Sequence, residues 1–192
     1  MGAQVLRDFK KNYPFIVRGK GVFLYDRAGR EYLDAVGGIS VVNVGHGVPE
    51  VIAAMREQAE YVAFVHGGSF ANEAAMALSE ELATWAPKGM QHVLLLSGGS
   101  EATETAMKLA HQYHLERGKE GKYRIVSRWI SYHGNTIGAL SMSGRTAWRR
   151  EFTPYLQNFP KIHPPYCYRC PYGQRYPGCG IACAEDLERV IT

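Results

Sequence analysis

Residues 92–108 read HVLLLSGGSEATETAMK, and this stretch decides the fold. Its first five residues form an apolar run with the length of a buried strand. Glu104 and Lys108 stand four residues apart, in the order that favours an ion pair on a solvated helix face. After the two glycines, apolar side chains recur at helical spacing: Ala102, Ala106, Leu109, Ala110 and Tyr113. The stretch predicts a strand, a tight glycine turn and a helix.

The predicted turn has the properties of a phosphate site. The first N–H groups of a helix have no intrahelical partner, and the helix dipole is positive there. Gly98 and Gly99 let the backbone approach an anion, and Ser97 and Ser100 offer hydroxyls. The turn matches neither the dinucleotide glycine pattern nor a P-loop, which favours a small cofactor with one terminal phosphate. The alternative is an ordinary strand–helix turn with a good N-cap and no ligand.

A second motif, Tyr132-His133-Gly134, follows the next predicted strand, Tyr123–Arg128. A strand–helix–strand unit of this length predicts a parallel sheet, in which ligands bind at the carboxyl ends of the strands. Both motifs are therefore expected on one rim. Tyr132 offers a flat face on which a planar cofactor ring can stack. The alternative is an aromatic loop with a capping residue.

Composition excludes some functions. The formal charge of +4 is weak and scattered, without the basic and aromatic interleaving of nucleic-acid binders. No apolar stretch reaches the length of a membrane span, and residues 1–8 show no signal-peptide pattern. The sequence predicts a cytoplasmic protein that binds neither nucleic acid nor membrane.

The other segments supply a framework. Residues 21–34 predict a β-hairpin. Two amphipathic helices are expected from Pro49 to about Val65 and from about Asn72 to Trp85, and a third begins at Ala184. Between hairpin and first helix lies a glycine-rich segment with Ser40 and His46, and a lone histidine is most often a cap or core residue.

All four cysteines fall in one short window as Cys-x2-Cys and Cys-x3-Cys: Cys167, Cys170, Cys179 and Cys183. Two short-spaced pairs suit a tetrahedral zinc ion or an iron–sulfur cluster. Free thiols and disulfides are the alternatives, and the expected cytoplasmic location disfavours disulfides. A metal here would be structural, because the window is far in sequence from the phosphate turn.

Residues 97–110, the Tyr132-His133-Gly134 motif and the hairpin at 21–34 resemble class III (ω-) aminotransferases, which are pyridoxal-phosphate (PLP) enzymes of fold type I. The resemblance runs from about Tyr13 to the end and implies the N-terminal part of an α/β fold, with a mostly parallel, incomplete sheet and flanking helices. It implies an N-terminal arm and hairpin over 1–46. The first part of the PLP domain then spans 47–192, with a cysteine-rich insert at 164–183.

The resemblance also implies a site. Five residues are expected to bind PLP, with His133 orienting the ring edge: Gly98, Gly99, Ser100, Tyr132 and His133. The segment with Ser40 and His46 lines the active site in the family. No catalytic residue is assigned, since the Schiff-base lysine of the family is expected after Thr192.

The implied reaction moves an amino group from an ω-amino, β-amino or amino acid donor to a 2-oxo acid such as pyruvate, in a homodimer. The alternatives are an inactive chain that is at most a partial cofactor-binding module, or an aminomutase or decarboxylase on the same fold.

Overall fold

The computed structural model describes residues 4–191. The chain forms two compact units, one ending at Glu73 and the other beginning at Ala74. The predicted domain division after residue 46 stays a prediction. Within residues 4–191, no helix combines the length and apolar character needed to cross a membrane.

The first unit contains an antiparallel sheet in the order β1 (Ile16–Lys20), β2 (Phe23–Asp26) and β3 (Glu31–Leu33). The predicted hairpin is confirmed as β2 and β3, and β1 adds a strand that the sequence did not predict. The carboxylate of Asp26 closes the turn by accepting hydrogen bonds from the backbone N–H groups of Ala28 and Arg30 at 2.9 and 3.0 Å and from the Tyr32 hydroxyl at 2.9 Å. Burial alone raises the pKa of Asp26, but these hydrogen bonds outweigh it and lower the pKa to about 2.

A left-handed turn, Gly37–Ser40, follows the sheet. Its four residues have φ values between 52° and 62°, including the two that carry side chains, Ile39 and Ser40. An L side chain rarely adopts this conformation, and a β-branched one least of all. The turn precedes α1 (Pro49–Tyr61), which begins at Pro49 as predicted and ends before the predicted Val65.

The second unit begins within α2 (Glu73–Trp85), whose bounds match the predicted helix within one residue. The 18-residue helix α3 (Gly99–Glu116) comes next and starts at the predicted glycine turn. Two short strands, β4 (Ser127–Arg128) and β5 (Lys161–Ile162), then pair in parallel. This combination confirms the predicted α/β class.

Two predicted strands are only partly realised. Residues 92–96 form no strand within residues 4–191, and residues 123–126 stay outside the ladder that holds Ser127 and Arg128. A strand forms only where a neighbouring backbone pairs with it through hydrogen bonds. For these two predicted strands, the described chain supplies such a neighbour only at β5. The N–H of Ser127 donates to Pro160 O at 3.1 Å, and the N–H of Trp129 donates to Ile162 O at 2.9 Å.

The core of the second unit surrounds the short helix α4 (Ile137–Met142). Ala139 and Ser141 are fully buried, and Phe159 and Ile162 of the β5 segment are nearly so. Helix α5 (Thr146–Arg149), the 3₁₀ turns Arg150–Tyr155 and Cys167–Arg169, and helix α6 (Ala182–Ile191) complete the unit. Helix α6 begins two residues before the predicted start.

Candidate functional site

The N-terminus of α3 has no side-chain cap, although Glu101 Oε2 lies 3.2 Å from the position that a Cβ would take at Gly98. Gly98 is extended, with φ −158° and ψ 164°, and carries no side chain that could cap the helix. The first i→i−4 hydrogen bond runs from Ala102 N to Gly98 O at 2.9 Å, so the N–H groups of Gly99, Ser100 and Glu101 precede the helical ladder. No atom of residues 4–191 lies within 4 Å of the position that a Cβ would take at Gly99, other than its own chain neighbours and helix backbone. This end of α3 can therefore receive an anion on its backbone.

The Tyr132–Asn135 segment lies against this helix end. Ser100 Oγ accepts a hydrogen bond from Asn135 N at 2.9 Å. Gly134 has a φ of 140°, and a Cβ there would meet the Ser100 hydroxyl and lie 2.8 Å from Ala139 Cβ. Only glycine fits this conformation and this contact. The structure thus brings the two sequence motifs together, although more than 30 residues separate Ser100 from Asn135.

Tyr132 keeps much of its ring accessible. The residue is 56% exposed, and its ring meets Trp148 edge-on, with centroids 5.2 Å apart and planes at 89°. The backbone N–H of His133 donates to Ser143 Oγ at 2.9 Å, which fixes the chain beside Tyr132 to a fully buried serine. An exposed aromatic ring on a fixed backbone is suited to stacking on a planar ligand.

Glu104 does not serve the role predicted from its spacing to Lys108. Its carboxylate accepts a hydrogen bond from Gly138 N at 2.9 Å, at the start of α4. The Thr136 side chain makes the largest contribution to lowering the pKa of Glu104, and the N–H groups of Gly138 and Ala139 contribute more than the charge of Lys108. Glu104 follows Ser100 by one helical turn and shares its face, but this spacing does not indicate which distant segment its carboxylate contacts.

In the first unit, His46 has a fixed partner. Its Nε2 lies 2.8 Å from Asp34 Oδ2. The Gly38 N–H and His46 lower the pKa of Asp34, with the Gly38 hydrogen bond contributing most. Asp34, His46, Ile39 and Ser40 line a cavity of about 570 Å³. Ser40 and His46, which the resemblance places at an active site, thus share one cavity within their own unit.

The four cysteines are free thiols. They line one small cavity of about 20 Å³. Among residues 4–191, however, no group of three or more His, Cys, Asp or Glu side chains is arranged to hold a metal ion. The expected zinc or iron–sulfur site therefore has no support in this arrangement.

Lys161 is a half-buried cation that the sequence did not single out. Burial, with the nearby charge of Arg149, lowers the pKa of Lys161 to about 8. Its Nζ donates to Ser141 O at 2.9 Å and to Phe159 O at 3.2 Å. Ser141 lies in the last turn of α4, so the ammonium group caps the carboxyl end of that helix, and its role is structural.

Comparison with known proteins gives consistent matches. The sequence model of the family described as aminotransferase class-III matches residues 7–192. The uncharacterized aminotransferase YodT of Bacillus subtilis is 41% identical over 157 residues, which cover 82% of this chain and 35% of YodT. The putrescine–pyruvate aminotransferase of Pseudomonas aeruginosa is 31% identical, with 95% of this chain and 40% of the relative covered.

A solved structure gives the same result. The (S)-enantioselective omega-transaminase of Thermomicrobium roseum superposes with a TM-score of 0.90 at 34% identity, over 100% of this chain and 43% of that one. The chain spans about two fifths of the length of the curated relatives it matches. A family match over nearly every residue, together with this structural agreement, shows that the chain belongs to the class III aminotransferase family.

Proposed function

We propose that this chain carries the phosphate-binding and ring-stacking part of a PLP-dependent aminotransferase. One observation carries the proposal: Ser100 Oγ accepts the Asn135 N–H at 2.9 Å, which holds the Tyr132–Asn135 segment against the open N-terminus of α3. The uncapped helix end is therefore held against the segment that carries the half-exposed Tyr132 ring. PLP presents the same pair of features, a terminal phosphate and a planar ring.

The residues present fit this cofactor. The backbone N–H groups of Gly99, Ser100 and Glu101 would hold the phosphate, because a side chain at position 99 is absent and the helix dipole favours an anion there. Tyr132 would support the ring by stacking, and His133 would lie at its edge. When bound, PLP supplies the electron sink for amino transfer. The chain's own contribution is to bind and orient the cofactor.

For the whole protein, we propose transfer of an amino group from an ω-amino, β-amino or amino acid donor to a 2-oxo acid such as pyruvate. Two relatives support this class of reaction, one named a putrescine–pyruvate aminotransferase and the other an omega-transaminase. A cytoplasmic homodimer is proposed from the family resemblance.

Paired ligands test the site. Pyridoxine 5′-phosphate and pyridoxine share a ring but differ in the phosphate, and neither carries the aldehyde that reacts with surface lysines. We expect the chain to bind pyridoxine 5′-phosphate more tightly than pyridoxine, as measured by calorimetry. Equal affinities for the two ligands would show that α3 does not bind the phosphate.

Two substitutions separate the two contacts. Gly99→Asp places a carboxylate among the backbone N–H groups, so it should abolish the preference for the phosphorylated ligand. Tyr132→Ala removes only stacking area, so it should weaken both ligands by a smaller factor. A larger loss of pyridoxine 5′-phosphate binding in Tyr132→Ala than in Gly99→Asp would contradict the assigned geometry.

A further inference from the structure

We infer that Glu104 is a positioning residue, which caps α4 from the neighbouring helix α3 and thereby holds Tyr132 beside the phosphate-binding end of α3. The inference rests on the proposed function, since it concerns the ring-stacking part of the same site. Its basis is the hydrogen bond from Gly138 N to Glu104 Oε1 at 2.9 Å, made 34 residues away along the chain.

Helix α4 needs a cap from outside. It is six residues long, and four of them are buried, from Ala139 to Met142. Its N-cap residue Thr136 is of a type that normally caps, but within the described chain its side chain makes no capping hydrogen bond. That side chain instead acts on Glu104, where it makes the largest contribution to lowering the pKa of the carboxyl group. The Glu104 carboxylate replaces it by accepting from the N–H group of Gly138 at 2.9 Å.

The two contacts from α3 act on the same segment. Ser100 and Glu104 lie one turn apart on one face of α3. Ser100 holds the backbone at Asn135, and Glu104 holds it at Gly138. Tyr132 stands three residues before the first of these anchors. Its backbone therefore leads directly into a segment that two hydrogen bonds hold at a fixed distance from the N-terminus of α3.

Close packing restricts alternative placements. A Cβ at Gly138 would lie 2.8 Å from Glu104 Oε1, so the helix start has approached the carboxylate as closely as glycine allows. On the other side of the loop, Ser143 accepts the His133 N–H at 2.9 Å. A solvated Glu104 paired with Lys108 would make neither the Gly138 contact nor the Thr136 contact. The Glu104 carboxylate thus contacts the start of α4 and not Lys108.

The test compares Glu104→Ala and Glu104→Gln with a control on the same helix, Glu116→Gln. Glu116 is exposed and accepts a hydrogen bond from Gln112 at 2.9 Å, far from the loop. We expect Glu104→Ala to bind both pyridoxine and pyridoxine 5′-phosphate roughly two- to twelvefold more weakly, the range for loss of one aromatic stacking contact. The ratio of the two affinities should stay unchanged, because the N–H groups of α3 still bind the phosphate.

Glutamine retains one oxygen acceptor, so Glu104→Gln should fall between the alanine variant and the unmodified chain. Glu116→Gln should bind like the unmodified chain. Amide hydrogen exchange supplies a readout without ligand: the protection of Gly138 and Ala139 should fall in Glu104→Ala, while that of α3 amides stays. If Glu104 only stabilised the fold, its substitution would lower the free energy of unfolding and leave ligand affinity in the folded protein unchanged.

The outcomes are separable. If the unmodified chain shows no preference for the phosphorylated ligand, the proposed function fails, whatever the variants do. If that preference is present but Glu104→Ala binds as tightly as the control, the positioning role is overturned. If both Glu104 variants fail to fold, Glu104 is a folding residue and the positioning role is likewise rejected.

Discussion

Gly134→Ala should be among the most damaging single-methyl additions in the chain. The φ of 140° is one that an L side chain rarely adopts, and such strain costs about 1–3 kcal/mol. The added Cβ would also meet Ser100 Oγ and lie 2.8 Å from Ala139 Cβ and 2.9 Å from Ser100 Cα. Overpacking of this kind costs about 1–3 kcal/mol. The free energy of unfolding should therefore fall by about 2–6 kcal/mol, a large share of the roughly 5–15 kcal/mol of a typical domain.

Urea denaturation followed by circular dichroism measures this loss, with two alanine substitutions as controls. Gly118 has a φ of 67° and no atom of the described chain within 4 Å of a Cβ, so Gly118→Ala carries the backbone strain alone, about 1–2 kcal/mol. Gly121 has equally open surroundings and an ordinary φ, so Gly121→Ala should change stability by less than about 0.5 kcal/mol. If Gly134→Ala costs no more than Gly118→Ala, the close contact with Ser100 is not present and the juxtaposition of the two motifs is wrong.

Three further predictions concern other groups. The pKa of Asp26 is lowered to about 2 from 3.8, so its stabilising effect is complete above about pH 4 and is lost as the pH falls through 2. Urea melts at several pH values should show that Asp26→Asn is less stable at pH 7 and lacks this part of the acid transition. The pKa of Lys161 is lowered to about 8 from 10.5, so the unfolded chain binds more protons and stability should rise between about pH 8 and 10.5; Lys161→Met should abolish that rise, and a parallel pH profile in both proteins would contradict it. The four cysteines should all react with a thiol reagent after denaturation, and protein purified without chelators should carry no stoichiometric zinc or iron in elemental analysis; one metal ion per chain would reverse this expectation.

Local signals predicted the helices well. Pro49 marks the first turn of α1, and the glycines at 98 and 99 mark the start of α3. These signals act within a few residues, through φ restriction and unpaired N–H groups, so the sequence contains them directly. The hairpin of β2 and β3 was predictable for the same reason. Its turn is closed by hydrogen bonds between Asp26 and residues no more than six positions away in the sequence.

Long-range partners were not predictable. Residues 92–96 have the composition of a strand, but strand pairing depends on another segment, and within residues 4–191 none pairs with them. The Glu104 carboxylate was predicted to face Lys108 because spacing reports only neighbours on the same helix. Its actual partner, Gly138, is 34 residues away. The positive φ of Ile39 also has no local signal, since a β-branched residue is disfavoured there.

The anchoring of the cysteine-rich segment has a consequence for how this protein can change. Asp186 in α6 accepts the His163 backbone N–H at 2.8 Å and lies 3.2 Å from the His163 ring, so the residues before and after positions 164–181 are tied together at their base. A loop whose ends are already joined tolerates length changes, because doubling its length costs only about 0.6 kcal/mol in closure entropy. The length of the segment can therefore change at little cost in free energy. We expect the rest of the second unit to fold as before when the length of the segment changes, provided that Asp186 and His163 are retained.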